Sequence, residues 1–394
     1  MTLAPVKILH ISDAHLGRAQ YQLQAREEDY YRALEDAVRL GRGADAVLIT
    51  GDLFDSRRPP VRSVVRFVEA VREIGVPIYV VGGNHDFSYV RYRAEAGDCQ
   101  AQRCGPHDTV LSLLDRLGVI RLLCWEAADA GGVHVFGACA TPRAYAGEYK
   151  RALQKAPPNC VLAIHQAIEG VRARYPAEAD EYTMPAEVFR GVRYLHIAAG
   201  HVHDHMLAHP VGAVWAGSLE LWDAGEFETW NYAGRFERVQ SAAQKGAVLL
   251  DIAGRGVSVK SIPLPARRPM YRLRLFVRDR EDLLRAIDES VRAFDRDGAV
   301  IRIEIWGAPD GGVRAGQIAS AFSRALYVDA VYKSAPRREP GARGGAAYEE
   351  LWRLVRERLG GYAETVIKAM ELLRDGNREG AYRLIMRALY EQRA

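Results

Sequence analysis

Nowhere in its 394 residues does the chain carry the run of about 18 apolar residues that a membrane-spanning helix needs. It does not open on a secretory leader either. MTLAPVKILHISDAH has one lysine, no sustained apolar stretch, and then a run that reads as a core strand. Cysteine is scarce. Cys99, Cys104, Cys124, Cys139 and Cys160 are an odd number without metal-ligand pairing, which argues against a structural zinc site and against a disulfide framework. Cys99 and Cys104 could bridge, but five free thiols in a reducing cytosol is the preferred reading. The protein is therefore placed in the cytoplasm, with no membrane attachment. A strong net charge is also missing. At +4 it does not by itself announce a nucleic-acid binder.

What is present is the balance of a soluble globular protein, 48% hydrophobic and 26% charged, in a chain longer than one domain usually is. Residues 1–266 hold 29 Lys and Arg against 31 Asp and Glu, and residues 267–394 hold 25 against 19. An acidic front suits carboxylates gathered for metal, and a basic rear suits a polyanion, although ordinary surface variation would look the same on charge alone. The first two-thirds alternates short apolar runs with helical patterns, which predicts an α/β domain over 1–265. Strands are expected at Val6–Ile11, Ala46–Thr50, Ile78–Val81, Val133–Gly137, Cys160–Ile164, Tyr194–Ala199, Ala213–Ala216, Ala247–Ile252 and Val257–Ile262. Helical patterns lie at Glu27–Arg42, Val61–Ile74 and Thr109–Leu117, and so many strands call for two stacked sheets.

The pattern breaks at Pro263, Pro265 and Pro269, where a smaller α+β unit over 266–334 begins. Its strands are expected at Tyr271–Val277 and Val300–Ile305, with helices at Asp279–Phe294 and near Gln317–Leu326. The Pro-, Gly- and Arg-rich stretch 335–347 reads as a linker to a helical tail, 348–394. That tail shows apolar stripes at Tyr362, Val366, Met370 and Leu373, and at Ala381, Leu384, Ile385, Ala388 and Leu389. Amphipathic helices beyond a linker either fold back or dock on a partner, and docking is the reading adopted.

Five short motifs each follow an apolar strand. They are Asp13-Ala14-His15, Gly51-Asp52-Leu53-Phe54-Asp55, Gly83-Asn84-His85-Asp86, His165, and Gly200-His201-Val202-His203. In layered α/β folds functional residues converge at the carboxyl ends of strands, so distance along the chain does not prevent one shared site. Carboxylate, amide and imidazole donors without thiolate suit a centre of Mn, Fe, Zn or similar ions. The pairs Asp13/His15 and His201/His203 are spaced i, i+2, which puts both side chains on one side of an extended backbone. Taken singly each motif is weak, since Asp13 suits a turn, His165 a satisfied core position and His203 a surface. All five in this order are hard to assemble by chance.

These motifs are the signature of calcineurin-like metallophosphoesterases, which the sequence resembles, and finer features are similar to the meiotic-recombination-eleven/SbcD double-strand-break nucleases. Those features are KILHISDAHLG, the stretch Gly217-Ser218-Leu219-Glu220-Leu221-Trp222-Asp223, and Gly105-Pro106 before a Leu-rich helix. The resemblance covers about residues 6–230 and implies two stacked sheets flanked by helices, a small capping domain that helps grip duplex DNA, and a tail that binds a Rad-fifty-type ABC ATPase. It implies a first metal on Asp13, His15, Asp52 and His203, a second on Asp52, Asn84, His165 and His201, and His85 as the catalytic histidine, with Asp86 orienting it or capping the turn. The ions expected are two divalent cations, Mn²⁺ being preferred. The partners implied are duplex DNA ends and single strands, the ATPase and a second copy of the chain, in a nucleoid-associated setting. Some family members carry histidine where Asp55 stands, which bears on how a substrate strand is steered. Arg57, Arg58 and Arg91 are candidate DNA contacts, with Arg62 and the Tyr89–Arg93 stretch nearby, although solvated surface arginines would look the same. His205 and His209 match no ligand. A phosphatase or cyclic-nucleotide phosphodiesterase on the same metals, and a non-catalytic DNA-end scaffold, are the competing functions.

Overall fold

Strands that are apolar on both faces must be covered on both sides, and the central strands of the first sheet are of that kind. The computed structural model describes residues 5–87, 109–173, 181–307 and 313–333, with scattered tail positions between 363 and 384. Cys99, Cys104, Gly105, Pro106, Arg91 with the Tyr89–Arg93 stretch, the linker 335–347 and nearly all of the tail stripes lie outside the described residues. In chain-order numbering the first sheet runs β16-β15-β1-β2-β3-β4. Here β1 is Val6–Ile11, β2 Ala46–Thr50, β3 Ile78–Val81, β4 Arg121–Leu122, β15 Lys245–Ala253 and β16 Gly256–Leu264. The β1–β4 ladders are parallel, and β15 pairs β1 antiparallel.

Alternation along β1 and β2 sends Leu9, Ile11, Val47 and Ile49 to one face, where they pack with Leu34 of helix α1 (Gln24–Arg39), Phe67 of α2 (Val61–Val71) and Leu111 of α3 (Val110–Arg116). Val6, Ile8, Ala46 and Leu48 go to the other face and pack against Val135, Val161 and Ala198 of a second sheet. That sheet runs β11-β12-β10-β7-β6-β5. Its strands are β5 (Glu126–Asp129), β6 (His134–Ala138), β7 (Cys160–His165), β10 (Tyr194–Gly200), β11 (Leu207–His209) and β12 (Ala213–Trp215). Its far face carries α4 (Ala146–Leu153), and a two-stranded ribbon of β8 (Ala167–Ile168) and β9 (Thr183–Met184) stands beside it. Helix, sheet, sheet, helix is thus the layer order, and the carboxyl ends of β1, β2, β3, β7 and β10 carry the five motifs.

A third sheet runs β14-β13-β17-β18-β19, built from β13 (Glu228–Tyr232), β14 (Phe236–Gln240), β17 (Met270–Phe276), β18 (Val300–Trp306) and β19 (Tyr327–Lys333). Helices α5 (Arg280–Phe294) and α6 (Ala315–Ser320) cover one face of it. Two of its strands, β13 and β14, come from inside the segment that sequence reading gave to the first domain, so the chain crosses the expected boundary at 265/266 before it reaches it. They carry no continuous apolar run, and the middle of β14 is exposed. The helix expected to reach Leu326 stops at Ser320 because the Asp295 carboxylate accepts from the backbone N–H groups of Ser323, Arg324 and Ala325 and draws the chain out of helical geometry.

The chain divides into two compact units, Met1–Lys333 and Ser334–Ala394. In the second, the described residues Ala363, Thr365, Val366, Lys368, Ala369 and Leu384 are helical, with Ala363 and Ala369 buried. Among the described residues no helix is long and apolar enough to cross a membrane. Cys124, Cys139 and Cys160 are free and buried.

Helix α1, which covers the first sheet, is tied to the segments leading into the third by a buried arginine. Arg26, on α1 and wholly inaccessible, donates to Asp29 at 2.6 Å, Gln20 at 3.0 Å and the Leu221 carbonyl at 3.0 Å, with Glu220 at 3.7 Å. Asp29 also accepts from Arg268 at 2.7 Å, and Arg268 donates to the Gly298 carbonyl ahead of β18. Removing one partner from such a group leaves buried charge uncompensated. Arg26→Ala is therefore expected to lower the unfolding free energy by about 3–5 kcal/mol in urea titration; a loss under about 1 kcal/mol would show that the network is not what ties these segments to α1.

Candidate metal centre

The loops after β1 and β2 are stitched together before any side chain is considered. Asp13 N–H donates to Gly51 O at 3.1 Å, His15 N–H to Asp52 O at 2.9 Å and Leu16 N–H to Leu53 O at 3.0 Å. The third motif is locked to the second by Asp86, whose buried carboxylate accepts from the N–H groups of Leu53 (3.2 Å), Phe54 (3.0 Å) and Gly83 (3.0 Å). Burial, and then the nearby Asp52 charge, push Asp86 up to about 7. Of the two roles open to Asp86, holding the turn is the one its bonds describe.

The side chains then converge. Asp13 and His15 are fully buried, and Asp52 is 2% exposed. His15 Nε2 lies 3.3 Å from His203 Nε2, which is 3.9 Å from Asp13 Oδ1. Asp52 Oδ2 stands between His15 Nε2 at 3.8 Å and His165 Nε2 at 3.4 Å, while Asp52 Oδ1 accepts from His85 N–H at 2.9 Å. Asn84 Oδ1 sits 3.1 Å from His165 Nε2 and 3.2 Å from His201 Nδ1. Three overlapping groups have ligand atoms mutually close enough to hold an ion: Asp13/His15/His203, His15/Asp52/His85 and Asp13/Asp52/His165. All seven expected ligands and His85 thus meet at one place.

The donor set fits divalent cations. Ring nitrogens and carboxylate and amide oxygens face one another with few protons to share, and among the described residues no sulfur intrudes. The outer ring nitrogen of His165 bonds Thr50 O at 2.8 Å, which turns Nε2 toward the cluster. Burial alone would lower His165, but the Asp52 carboxylate pushes it up to about 10. Burial raises Asp13, and burial followed by the charge of His15 holds His203 well below the ordinary histidine range.

The i, i+2 pairs converge by a different route from the one the spacing suggested. Asp13, His15, Asp52 and His201 have φ of 50°, 45°, 48° and 82°, so the backbone is left-handed there rather than extended. Non-glycine residues rarely accept this region, and the stitching above is what holds them in it.

His85 is the exposed member, its side chain 34% accessible. Its Nδ1–H donates to the Asp55 carbonyl at 2.8 Å, and the Asp55 carboxylate lies 3.4 Å from His15 Nδ1 and 3.5 Å from Arg18. His205 spends both ring nitrogens on Ala216 O and Ser261 Oγ, and His209 bonds Glu169 O, so neither belongs to the cluster. Arg57 and Arg58 are exposed beyond the second motif, and Arg62 pairs with Glu28 at 3.1 Å. Sequence reasoning missed Trp222 as part of the site. Its ring centroid is 3.9 Å from that of His15, 5.0 Å from His203 and 5.8 Å from His85, and the Arg18 guanidinium lies 3.3 Å over it. The Gly217–Asp223 stretch singled out above was the available signal.

Glycine is required by proximity at three motif positions, one of them Gly200, where a Cβ would lie 2.0 Å from Thr50 O. A Cβ on Gly83 would lie 2.1 Å from Asp52 Oδ1 and 2.3 Å from Asp52 N, and one on Gly51 would lie 2.1 Å from His165 Nδ1.

Residues 6–205 match the family of calcineurin-like phosphoesterases. Among curated proteins the chain is 28% identical over 323 residues to the DNA double-strand break repair protein Mre11 of Thermoplasma acidophilum, covering 76% of each. The protein of the same name from Aeropyrum pernix is 25% identical over 305 residues, 73% of this chain and 67% of that one. In the Sulfurisphaera tokodaii protein the figures are 25% over 279 residues, 68% and 65%.

Gly83→Ala has to displace the Asp52 loop and is expected to cost about 1–3 kcal/mol or more, as overpacking does. Gly43→Ala, where an added Cβ meets nothing within 4 Å, serves as the control and should leave the melting temperature unchanged. Equal melting of the two variants would contradict the close approach.

Proposed function

The chain belongs to the calcineurin-like phosphoesterases, and from that premise we propose that it is a two-metal nuclease that hydrolyses phosphodiester bonds in DNA during double-strand-break repair. The observation that carries the reading is the position of Asp52, one carboxylate between the nitrogens of His15 and His165. Asp13, His15, Asp52 and His203 would hold one cation, and Asp52, Asn84, His165 and His201 the other, Mn²⁺ being preferred among the Mn, Fe, Zn or similar ions that suit the mixed oxygen and imidazole set. Bound there, the cations supply Lewis acidity toward the phosphoryl oxygens and toward water. Similarity to curated repair proteins over three-quarters of the chain supports DNA as the substrate rather than a small phosphate ester.

His85 acts on the leaving group. Its Nδ1–H is held by the Asp55 carbonyl, which leaves Nε2 to carry a proton toward the departing sugar oxygen. Trp222 and Arg18 close the His15 side against bulk water. The partly exposed edge of Asn84, His85, His201 and His203 admits the substrate. Arg57 and Arg58, exposed beside the second motif, contact phosphates of the strand, a role assigned also to Arg91 on its sequence position.

Residues 1–265 form the hydrolase in this reading, with the part of the third sheet that lies within 266–334 as a cap. Across the linker 335–347, the tail 348–394 docks on a Rad-fifty-type ABC ATPase. The chain acts as a homodimer on duplex ends and single strands in the cytoplasm at the nucleoid.

The test is cleavage of labelled duplex and single-stranded DNA in Mn²⁺, Mg²⁺ or EDTA, with metal content read by elemental analysis. Asp52→Ala should lose both metal and cleavage. His85→Ala should keep its metal while turnover falls by roughly 10²–10⁴-fold, the usual loss for a general acid. A nucleotide ester turned over with DNA left intact would replace the nuclease reading by the phosphatase one, and metal loss in His85→Ala would make His85 a ligand. Truncation after Lys333 should leave melting and cleavage of a short substrate intact and abolish pull-down of the cognate ATPase; undiminished pull-down would refute the role given to the tail.

A further inference from the structure

Behind the metal centre lies a charged pair that the hydrolytic reading does not use. Lys245, the first residue of β15, and Glu226, in the loop before β13, are each 1% exposed. The ammonium has three protons and three acceptors: Ser218 Oγ at 2.7 Å, Glu226 Oε1 at 2.9 Å and the His203 carbonyl at 3.2 Å. Glu226 is engaged at both oxygens. Its Oε2 accepts from Trp222 N–H at 2.6 Å, and Oε1 faces His203 Nδ1 at 3.9 Å.

Burying such a pair is costly, and apolar side chains of similar volume commonly give equal or greater stability. Folding alone therefore does not account for it. What the pair touches is specific: the backbone and outer ring edge of His203, and the backbone of Trp222. The opposite ring nitrogen, Nε2, is the one 3.3 Å from His15 Nε2. A carboxylate behind Nδ1 favours the tautomer with its proton there and leaves the Nε2 lone pair pointing at the cluster. Bound at Trp222 N–H, the same carboxylate also keeps the indole against His15. Gly217 contributes to the fit, because a Cβ there would lie 2.8 Å from the His203 carbonyl.

We propose that the buried Lys245–Glu226 pair positions His203 and Trp222, and so sets the affinity of the metal held by Asp13, His15, Asp52 and His203. The inference rests on the two-metal reading above. In the second set His165 is oriented by the backbone of Thr50 instead, and neither member of the pair bonds Asn84, His165 or His201 in the contacts above. Lys245 and Glu226 are positioning residues: neither reaches the reacting atoms.

The experiment is calorimetric titration of the metal-stripped full chain with Mn²⁺, with apo melting temperatures, for wild type, Glu226→Gln and the double variant Glu226→Leu/Lys245→Met. Two binding steps are expected in wild type. Glu226→Gln should weaken one of them by roughly 10–100-fold, the usual cost of losing a partner behind a ligand, and leave the other unchanged. The double variant should melt at or above wild type yet show the same weakened step, which a structural role would not produce. Two wild-type affinities in the double variant, or in Glu226→Gln should the double variant fail to fold, overturn the proposal. A wild-type chain that takes up no Mn²⁺ would instead bring down the two-metal reading itself.

Discussion

The Asp52 carboxylate is a buried charge that three of the other four motifs address at once. His85 donates its backbone N–H to one oxygen, His15 and His165 approach the other, and the Asp52 carbonyl receives the His15 N–H. A lone carboxylate at 2% exposure would be driven to protonate. Here burial is outweighed by the adjacent imidazoles, and Asp52 is held below the ordinary carboxylate range. Every other feature of the site follows from keeping that group charged and fixed. The loops after β1, β2 and β3 cannot drift apart without breaking a backbone bond, and the glycine at 83 exists because anything larger would occupy the carboxylate's place.

Rigidity at this point comes from the layers beneath it. Parallel strands buried on both faces end together on one side of the sandwich, and the turns that follow them have no freedom to relax. That constraint explains how four non-glycine residues persist with positive φ in a single cluster. It also explains the use of buried charge elsewhere. Arg26, Lys245 and Asp86 each bind backbone groups from loops that no ladder pairs, so each stands in for hydrogen bonds that regular structure would have provided.

The strands of the sandwich were legible in the sequence because their signal is local. Val6–Ile11, Ala46–Thr50 and Ile78–Val81 are apolar on both faces and bounded by glycine or polar turns, and no competing element accounts for such runs. The motifs were legible for the same reason, being residue types in a fixed order behind those strands. Local signals fail where burial is one-sided or shared. Strand β14 is a polar edge strand, and β13, which carries no continuous apolar run, finds its second neighbour in β17, beyond the Pro263–Pro269 break. The helix after Arg314 looked longer than it is because nothing near it in sequence reveals that Asp295 will claim its last N–H groups.

By itself, then, the sequence determined the layered α/β class, the strands that carry the chemistry, and the carboxylates, amide and imidazoles available to it. Tertiary structure alone decided that Asp52 would lie between His15 and His165, that Trp222 would roof the His15 side, that Asp86 would hold a turn, and that Lys245 would meet Glu226 behind His203. The physical reason is one of range. Periodicity and turn chemistry are written within a dozen residues, whereas these contacts join positions far apart in the chain, and only sheet order and core packing bring such positions within bonding distance.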